Sequence, residues 1–480
     1  MTNFLIITSD EHRADAMGCA GHSHVRTPHL DRLAASGTRF SNAYTASPMC
    51  VPARAALATG QFVHQTRHWD SASPYSGNPQ SWMHKVRGAG HKCVSIGKLH
   101  FRSTEDDNGF SEEILPMHVA GGIGWTIGLL RKELPDYEGA AELSADVGEG
   151  ASSYTDYDRA ITQAAINWIE EAGEKQTSGA QDKGWSAFIS LVSPHYPLTC
   201  PPEFNKLYQP QDMALPIGYG KGAPTHPELA RTAAFFDYDR HFDAQTMRAA
   251  KCAYFGLTSF MDDCVGKILD ALERSGQTED TVICYISDHG ELLGDHGLWT
   301  KQVMYEGSVA VPMILSGPGI PAGHICHTPV MLTDIAPTVL DVMNIQALEI
   351  PRCTSLVQIA NQPDQMERIA FSEYHDGGST MASFMVRWQH WKYIHYVGAP
   401  PQLFDLHADP DEQVDLYSCQ PHTQTIKDAL AKGEASLRNI CDPEAVNANA
   451  FADQAEKIAA LGSEEACLTR YAFNHTPVPV

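Results

Sequence analysis

Four short apolar runs set what this chain can fold into. Phe4-Leu5-Ile6-Ile7-Thr8, Cys93-Val94-Ser95-Ile96, Trp185-Ser186-Ala187-Phe188-Ile189-Ser190-Leu191-Val192 and Thr281-Val282-Ile283-Cys284-Tyr285-Ile286-Ser287 carry β-branched and aromatic residues without steady polar alternation. That is the texture of strands buried on both faces of a parallel sheet. Helical spacing falls between them. Tyr157, Ile161, Ala164, Ala165, Trp168 and Ile169 predict a helix from about 155 to 172,. A stripe from Met247 through Tyr254, Met261 and Ile268 to Leu272 predicts a longer one over Thr246 to Arg274,. Each run stops in polar residues: Asp10-Glu11, Gly97-Lys98-Leu99-His100, Ser193-Pro194-His195 and Asp288-His289-Gly290-Glu291. Open α/β sheets take ligands outside the carboxyl ends of their strands, so these tips are the candidate site.

The segment from Ser47 to Gly60 adds a possible nucleophile. Pro52 suits a first helical turn, Ala and Leu propagate it, and Gly60 can end it,. Cys50 then sits just ahead of a helix N-terminus, where free N–H groups favour negative charge. Arg54, one turn on, can face the same spot, which suits chemistry on an oxyanion ester,. Adjacent Asp288 and His289, with a glycine that lets the backbone turn, form a donor pair for a divalent cation,. Read alone, Asp10 fits a turn or cap, Lys98 and His100 a solvated strand edge, and His195 a loop.

Charge narrows the partners. With 34 basic against 58 acidic residues the formal balance is −24, which argues against nucleic acid or an anionic membrane as principal partner,. No apolar run approaches a membrane span. The N-terminal apolar stretch is too short for an export signal, and the twelve cysteines lack paired spacing,. The expectation is a cytoplasmic protein with reduced thiols, with a homodimer as the default oligomer.

Cys50-Val51-Pro52-Ala53-Arg54 with Thr59-Gly60, preceded by the helix from Thr27 to Gly37 and a strand over Thr38 to Tyr44, resembles the signature and N-terminal layout of the sulfatases, a branch of the alkaline phosphatase superfamily. Ala53 stands where that family usually has serine. The resemblance implies that a maturation enzyme oxidises Cys50 to formylglycine, whose hydrated aldehyde is the nucleophile. It implies one divalent metal held by Asp10, Asp288, His289 and an oxygen of the hydrate from Cys50, with Glu11 as a possible outer partner. The family usually has Asp-Asn with calcium where Asp288-His289 stand. The nitrogen of His289 suits Mn²⁺ or Zn²⁺ better than Ca²⁺.

The resemblance also assigns sulfate contacts to Arg54, Lys98 and Lys301, leaving-group protonation to His195, and a place near the aldehyde hydrate to His100. Lys98 and His100 favour a sulfatase, because the related phosphonate monoester hydrolases tend to have tyrosine and threonine there. The expected substrate is a small sulfate ester. Two rivals stay open: a phosphonate monoester or phosphodiester hydrolase with the same machinery, and a non-catalytic metal-binding homologue that keeps the Cys50 thiol.

The expected fold is α/β, a large mixed but mostly parallel sheet between helices (alkaline phosphatase-like), over residues 1–365. A smaller α+β domain over 366–480 carries an antiparallel sheet, read from Phe384–Arg387, Trp391–Tyr396 and Gln402–Leu406, and a helix over Thr423–Ile440,. Residues 103–150 read as long loops with local helix, and 199–243 as surface loops,. Trp69, Tyr75, Trp82 and Trp125 fit either core or an aromatic, quaternary-ammonium pocket.

Overall fold

A computed structural model describes residues 2–178, 183–222, 224–346, 348, 350, 352–471 and 476–479. Its main sheet is built from β1 (Asn3–Asp10), β2 (Gly37–Phe40), β3 (Lys92–Lys98), β4 (Glu112–Met117), β5 (Trp185–Pro194), β6 (Thr281–Ser287), β7 (Met313–Ser316) and β8 (His324–Cys326). The spatial order is β8-β2-β7-β6-β1-β5-β3-β4. Only β7 runs against its neighbours; the other pairings, β8 with β2 and β6 through β1, β5 and β3 to β4, are parallel. The four apolar runs lie side by side as β6, β1, β5 and β3 at the centre, so their carboxyl ends open at one rim.

Alternate side chains of these strands serve two cores, as a two-residue repeat requires. Leu5, Ile7, Ile189 and Tyr285 pack under the helices Ser153–Thr177 and Ala244–Arg274. Phe4, Ile6, Phe188 and Ile286 pack under Cys50–Thr59 and Ile335–Val342. We label the helices used below α1 (Pro28–Ala35), α2 (Cys50–Thr59), α3 (Ser153–Thr177), α4 (Pro227–Phe236) and α5 (Ala244–Arg274).

A separate antiparallel sheet runs in chain order through β9 (Ala370–Tyr374), β10 (Ser383–Trp388), β11 (Trp391–Tyr396) and β12 (Ala399–Asp405). Helices Gln424–Arg438, Pro443–Leu461 and Glu464–Arg470 follow it. No helix among the described residues is long and apolar enough to cross a membrane.

The loop expectations need two corrections. Within 103–150, Glu112–Met117 is an edge strand; its half-exposed side chains and Pro116 leave it without an apolar run,. Within 199–243, Pro227–Phe236 is a helix that buries Leu229, Phe235 and Phe236. The expected strand over 38–44 divides, with Ala43–Tyr44 pairing in a small second sheet. β9 and the last two helices extend the C-terminal part beyond what the sequence outlined. Trp69, Tyr75, Trp82 and Trp125 are all buried within the cores.

Helix α1 takes its N-terminal cap from another helix. The Thr27 side chain makes no cap bond. Instead Asp262, reaching across from α5, accepts from the N–H groups of His29 (3.1 Å) and Leu30 (2.8 Å). Burial pushes this carboxyl up to about 7, against the pull of those two donors,. The folded protein holds that proton more tightly than the unfolded chain. The group therefore adds stability at low pH and loses it as the pH climbs through its folded value of about 7,. Asp262→Asn has no proton to lose, so its melting temperature relative to wild type should rise between about pH 5 and about pH 7. A constant difference across that range would contradict this titration.

Candidate active site

The rim above β6, β1, β5 and β3 gathers the strand-tip residues around the start of α2. Cys50 is the first residue of that helix, with extended Met49 before it and Gly60 closing the far end at φ 70°. The Cys50 thiol lies 3.1 Å from His289 Nε2, 3.7 Å from Asp10 Oδ1 and 3.3 Å from Lys301 Nζ. Asp10, Cys50, Asp288 and His289 each offer a ligand atom, all within 4.8 Å of one another. His289 Nδ1 donates to the Gly290 carbonyl at 3.0 Å, which turns the Nε2 lone pair to the centre of that group,. Two carboxylates, an imidazole nitrogen and the side chain at position 50 thus fit a divalent cation.

Arg54 bridges two of the site's carboxylates. Its Nε donates to Asp288 Oδ2 (2.8 Å) and its Nη2 to Asp10 Oδ2 (3.0 Å), while Nη1 donates to the Lys98 carbonyl (2.7 Å) and Ser190 Oγ (2.9 Å). The guanidinium is engaged by the protein on every nitrogen. It fixes the two carboxylates at the rim.

The two lysines differ in their freedom. Lys98 Nζ sits 2.7 Å from Asp10 Oδ2. It is aimed there by a bulge: the β3–β4 register shifts between Ile96 and Lys98, and Gly97 takes φ 101°. A Cβ at Gly97 would stand 2.3 Å from the Ser190 carbonyl oxygen, so only glycine fits this bend,. Lys301 Nζ reaches Cys50 Sγ, His195 Nε2 (3.2 Å) and Glu11 Oε2 (3.4 Å). Burial works against its charge, but Cys50, Glu11 and Asp10 outweigh it and hold the ammonium protonated,.

His195 stacks on Tyr196 at 4.1 Å, and its Nδ1 lies 2.6 Å from the Tyr196 carbonyl, so Nδ1–H donates and Nε2 faces Lys301. Burial, then Lys301 and Lys98, push its pKa well below the ordinary histidine value. His100, at φ 54°, has both ring nitrogens buried and without hydrogen-bond partners among the described residues. Burial, then Lys98 and Arg54, keep it neutral too. Such orphaned nitrogens at a polar rim point to a missing ligand. Burial also drives Asp10 upward, yet Lys98, His195, Arg54 and His289 overcome it and hold the group well below the usual carboxylate range.

Glu11 turns away from the four-ligand group. At φ 66° its carboxylate points to Lys301 and His195 (3.3 Å), and its other side meets the Glu291 carboxyl. Burial raises both acids, while Lys301 pulls each of them down,. Asp10, Glu11 and His195 form a second cluster of potential ligands. The Lys301 ammonium contacts two of its members.

The roles of Ser190, Gly97 and Glu291 escaped sequence reasoning. Glu291 accepts from Leu293 N (2.8 Å) and Thr300 N (2.6 Å), so it folds the loop that presents Lys301. Its place just after Asp288-His289-Gly290 was the one available signal. Ser190 carries none, since its role appears only when β3, β5 and α2 meet.

Known proteins resemble this chain over most of its length. A family model described as sulfatase matches residues 2–345, and one described as N-sulphoglucosamine sulphohydrolase, C-terminal, matches 294–439. A choline-sulfatase of Rhizobium meliloti is 32% identical over 432 residues, covering 86% of this chain and 82% of that protein. Arylsulfatase K of Danio rerio is 29% identical over 467 residues, covering 93% and 84%. Among solved structures, a phosphonate monoester hydrolase of Agrobacterium radiobacter superposes with a TM-score of 0.72 at 24% identity, over 92% of this chain and 96% of that one. A 2-O GAG sulfatase superposes at 0.70 with 20% identity, over 99% and 98%. These structural likenesses establish a shared fold.

Proposed function

This chain belongs to the sulfatase family, enzymes that hydrolyse sulfuric esters, and from that premise we propose that it cleaves a small sulfate monoester with a formylglycine hydrate made from Cys50. The observation that carries the reading is the meeting of Cys50 with His289, Asp10 and Lys301, three partners from distant parts of the chain, within 3.1–3.7 Å.

In this reading Asp10, Asp288, His289 and the modified side chain at position 50 would hold one divalent cation, with Mn²⁺ or Zn²⁺ favoured by the nitrogen donor. Such a cation would supply Lewis-acid polarisation of the sulfate and a lowered pKa for the hydrate hydroxyl. Arg54 holds Asp10 and Asp288 in place through its paired contacts. Lys98 and Lys301 offset charge on the non-bridging sulfate oxygens, a preorganised electrostatic role.

The formylglycine hydrate would supply the hydroxyl that displaces the alcohol from sulfur. The departing oxygen takes a proton from the hydrogen-bonded Lys301–His195 pair, through His195 Nε2. His100, with both ring nitrogens free of hydrogen-bond partners among the described residues, is the base that would take the proton of the remaining hydroxyl, so that sulfate could leave as the aldehyde re-forms,. Water restores the hydrate. A plain thiol would be left holding sulfate with no such exit.

The substrate side rests on the relatives' names: choline sulfate and aryl sulfates are the first candidates. The decisive assay gives protein co-produced with a maturation enzyme choline sulfate, an aryl sulfate and an aryl phosphonate monoester. Sulfate turnover at least about tenfold above phosphonate turnover is expected. Faster phosphonate turnover would reverse the assignment in favour of a phosphonate ester hydrolase.

A further inference from the structure

Building on the assignment of His195 as the proton carrier to the leaving oxygen, we propose that Asp158 is a positioning residue that aims His195 at that oxygen. Asp158 lies on α3, fully buried, one layer behind the rim. Its Oδ1 accepts from the Val192 N–H at 2.7 Å and its Oδ2 from the Ser193 N–H at 2.8 Å. At this point β5 leaves the regular ladder. The pairing with β1 runs from Phe4–Ser186 to Thr8–Ser190, then resumes only at Asp10–Pro194.

Two of the N–H groups in that gap, those of Val192 and Ser193, are held by the Asp158 carboxylate. The turn they begin closes when His195 N–H donates to the Val192 carbonyl at 3.0 Å. Val192 is thus gripped on one side by Asp158 and on the other suspends His195. From there the ring is fixed by its Nδ1 bond to Tyr196 and its stacking on that residue, with Nε2 toward Lys301. Asp158 touches none of the reacting groups; it sets where the turn stands.

A carboxylate can accept from both N–H groups, whereas an amide offers one oxygen and turns its NH₂ against the other donor. Asp158→Asn should therefore loosen the turn and displace His195. A proton carrier matters most when the departing alcohol is a poor leaving group. The variant should lose about 100-fold in kcat on an alkyl sulfate such as choline sulfate, with KM nearly unchanged, and less than about threefold on 4-nitrophenyl sulfate. Damage to the fold at large would lower both substrates alike.

His195→Ala is measured beside it. If His195→Ala shows no difference between the two leaving groups, the proton-carrier assignment fails. If it shows the difference and Asp158→Asn does not, the positioning proposal is overturned while that assignment stands. Should Asp158→Asn not fold, Asp158→Glu keeps both acceptors one methylene displaced and carries the same comparison. A leaving-group difference of at least about threefold then supports the proposal, and equal losses overturn it.

Discussion

Cys50→Ala is expected to cut sulfate ester turnover by roughly 10⁴-fold or more while leaving the protein folded. The size follows from what is removed. Without a side-chain oxygen at position 50 there is no attacking group and no covalent intermediate, and only electrostatic stabilisation by the neighbouring cations remains. The fold should survive because alanine suits the first turn of α2, and the lost atom touches polar rim residues rather than the hydrocarbon core. Turnover measured beside thermal melting separates the two effects. Retained turnover within about tenfold of wild type would remove Cys50 from the chemistry.

Arg54→Ala should be the most destabilising single change at the site. Arg54, Asp10 and Asp288 are all buried, and the guanidinium bridges the two carboxylates. Removing it leaves Asp288 with no cation in its immediate bonds and Asp10 with Lys98. Breaking a buried ion pair by deleting one partner costs about 3–5 kcal/mol, since the remaining charge stays desolvated. That loss is expected in the unfolding free energy of metal-free protein. Added Mn²⁺ should recover part of it, because a cation between Asp10 and Asp288 replaces the missing charge. Arg54→Lys should restore little, since one ammonium cannot reproduce the forked contact with both carboxylates and the Lys98 carbonyl. Stability unchanged by Arg54→Ala would mean that the carboxylates find another partner.

These two effects show where sequence reading succeeds and where it stops. The tips of β1, β3, β5 and β6 were legible because strands buried on both faces form unbroken apolar runs, and the first polar residue after each marks the rim. Glu112–Met117 lacked that contrast at the sheet edge, and Pro227–Phe236 lay hidden in a segment dense in proline and aromatics. Helical spacing placed Arg54 on the face of Cys50. It could not say that carboxylates from residues 10 and 288 would occupy the guanidinium first, since those contacts exist only once the sheet has assembled. Glu11 was legible as an acid beside Asp10. Its turn toward Lys301, His195 and Glu291 was not, because it depends on a backbone angle and on a loop almost three hundred residues away.

Nothing tests the assignment of Cys50 more directly than the mass of the peptide that bears it, taken from turnover-competent protein produced in its native host. The expected result is the mass of an aldehyde at position 50, in proportion to the active fraction. Complete retention of the thiol in protein that still hydrolyses sulfate esters would contradict the formylglycine mechanism outright.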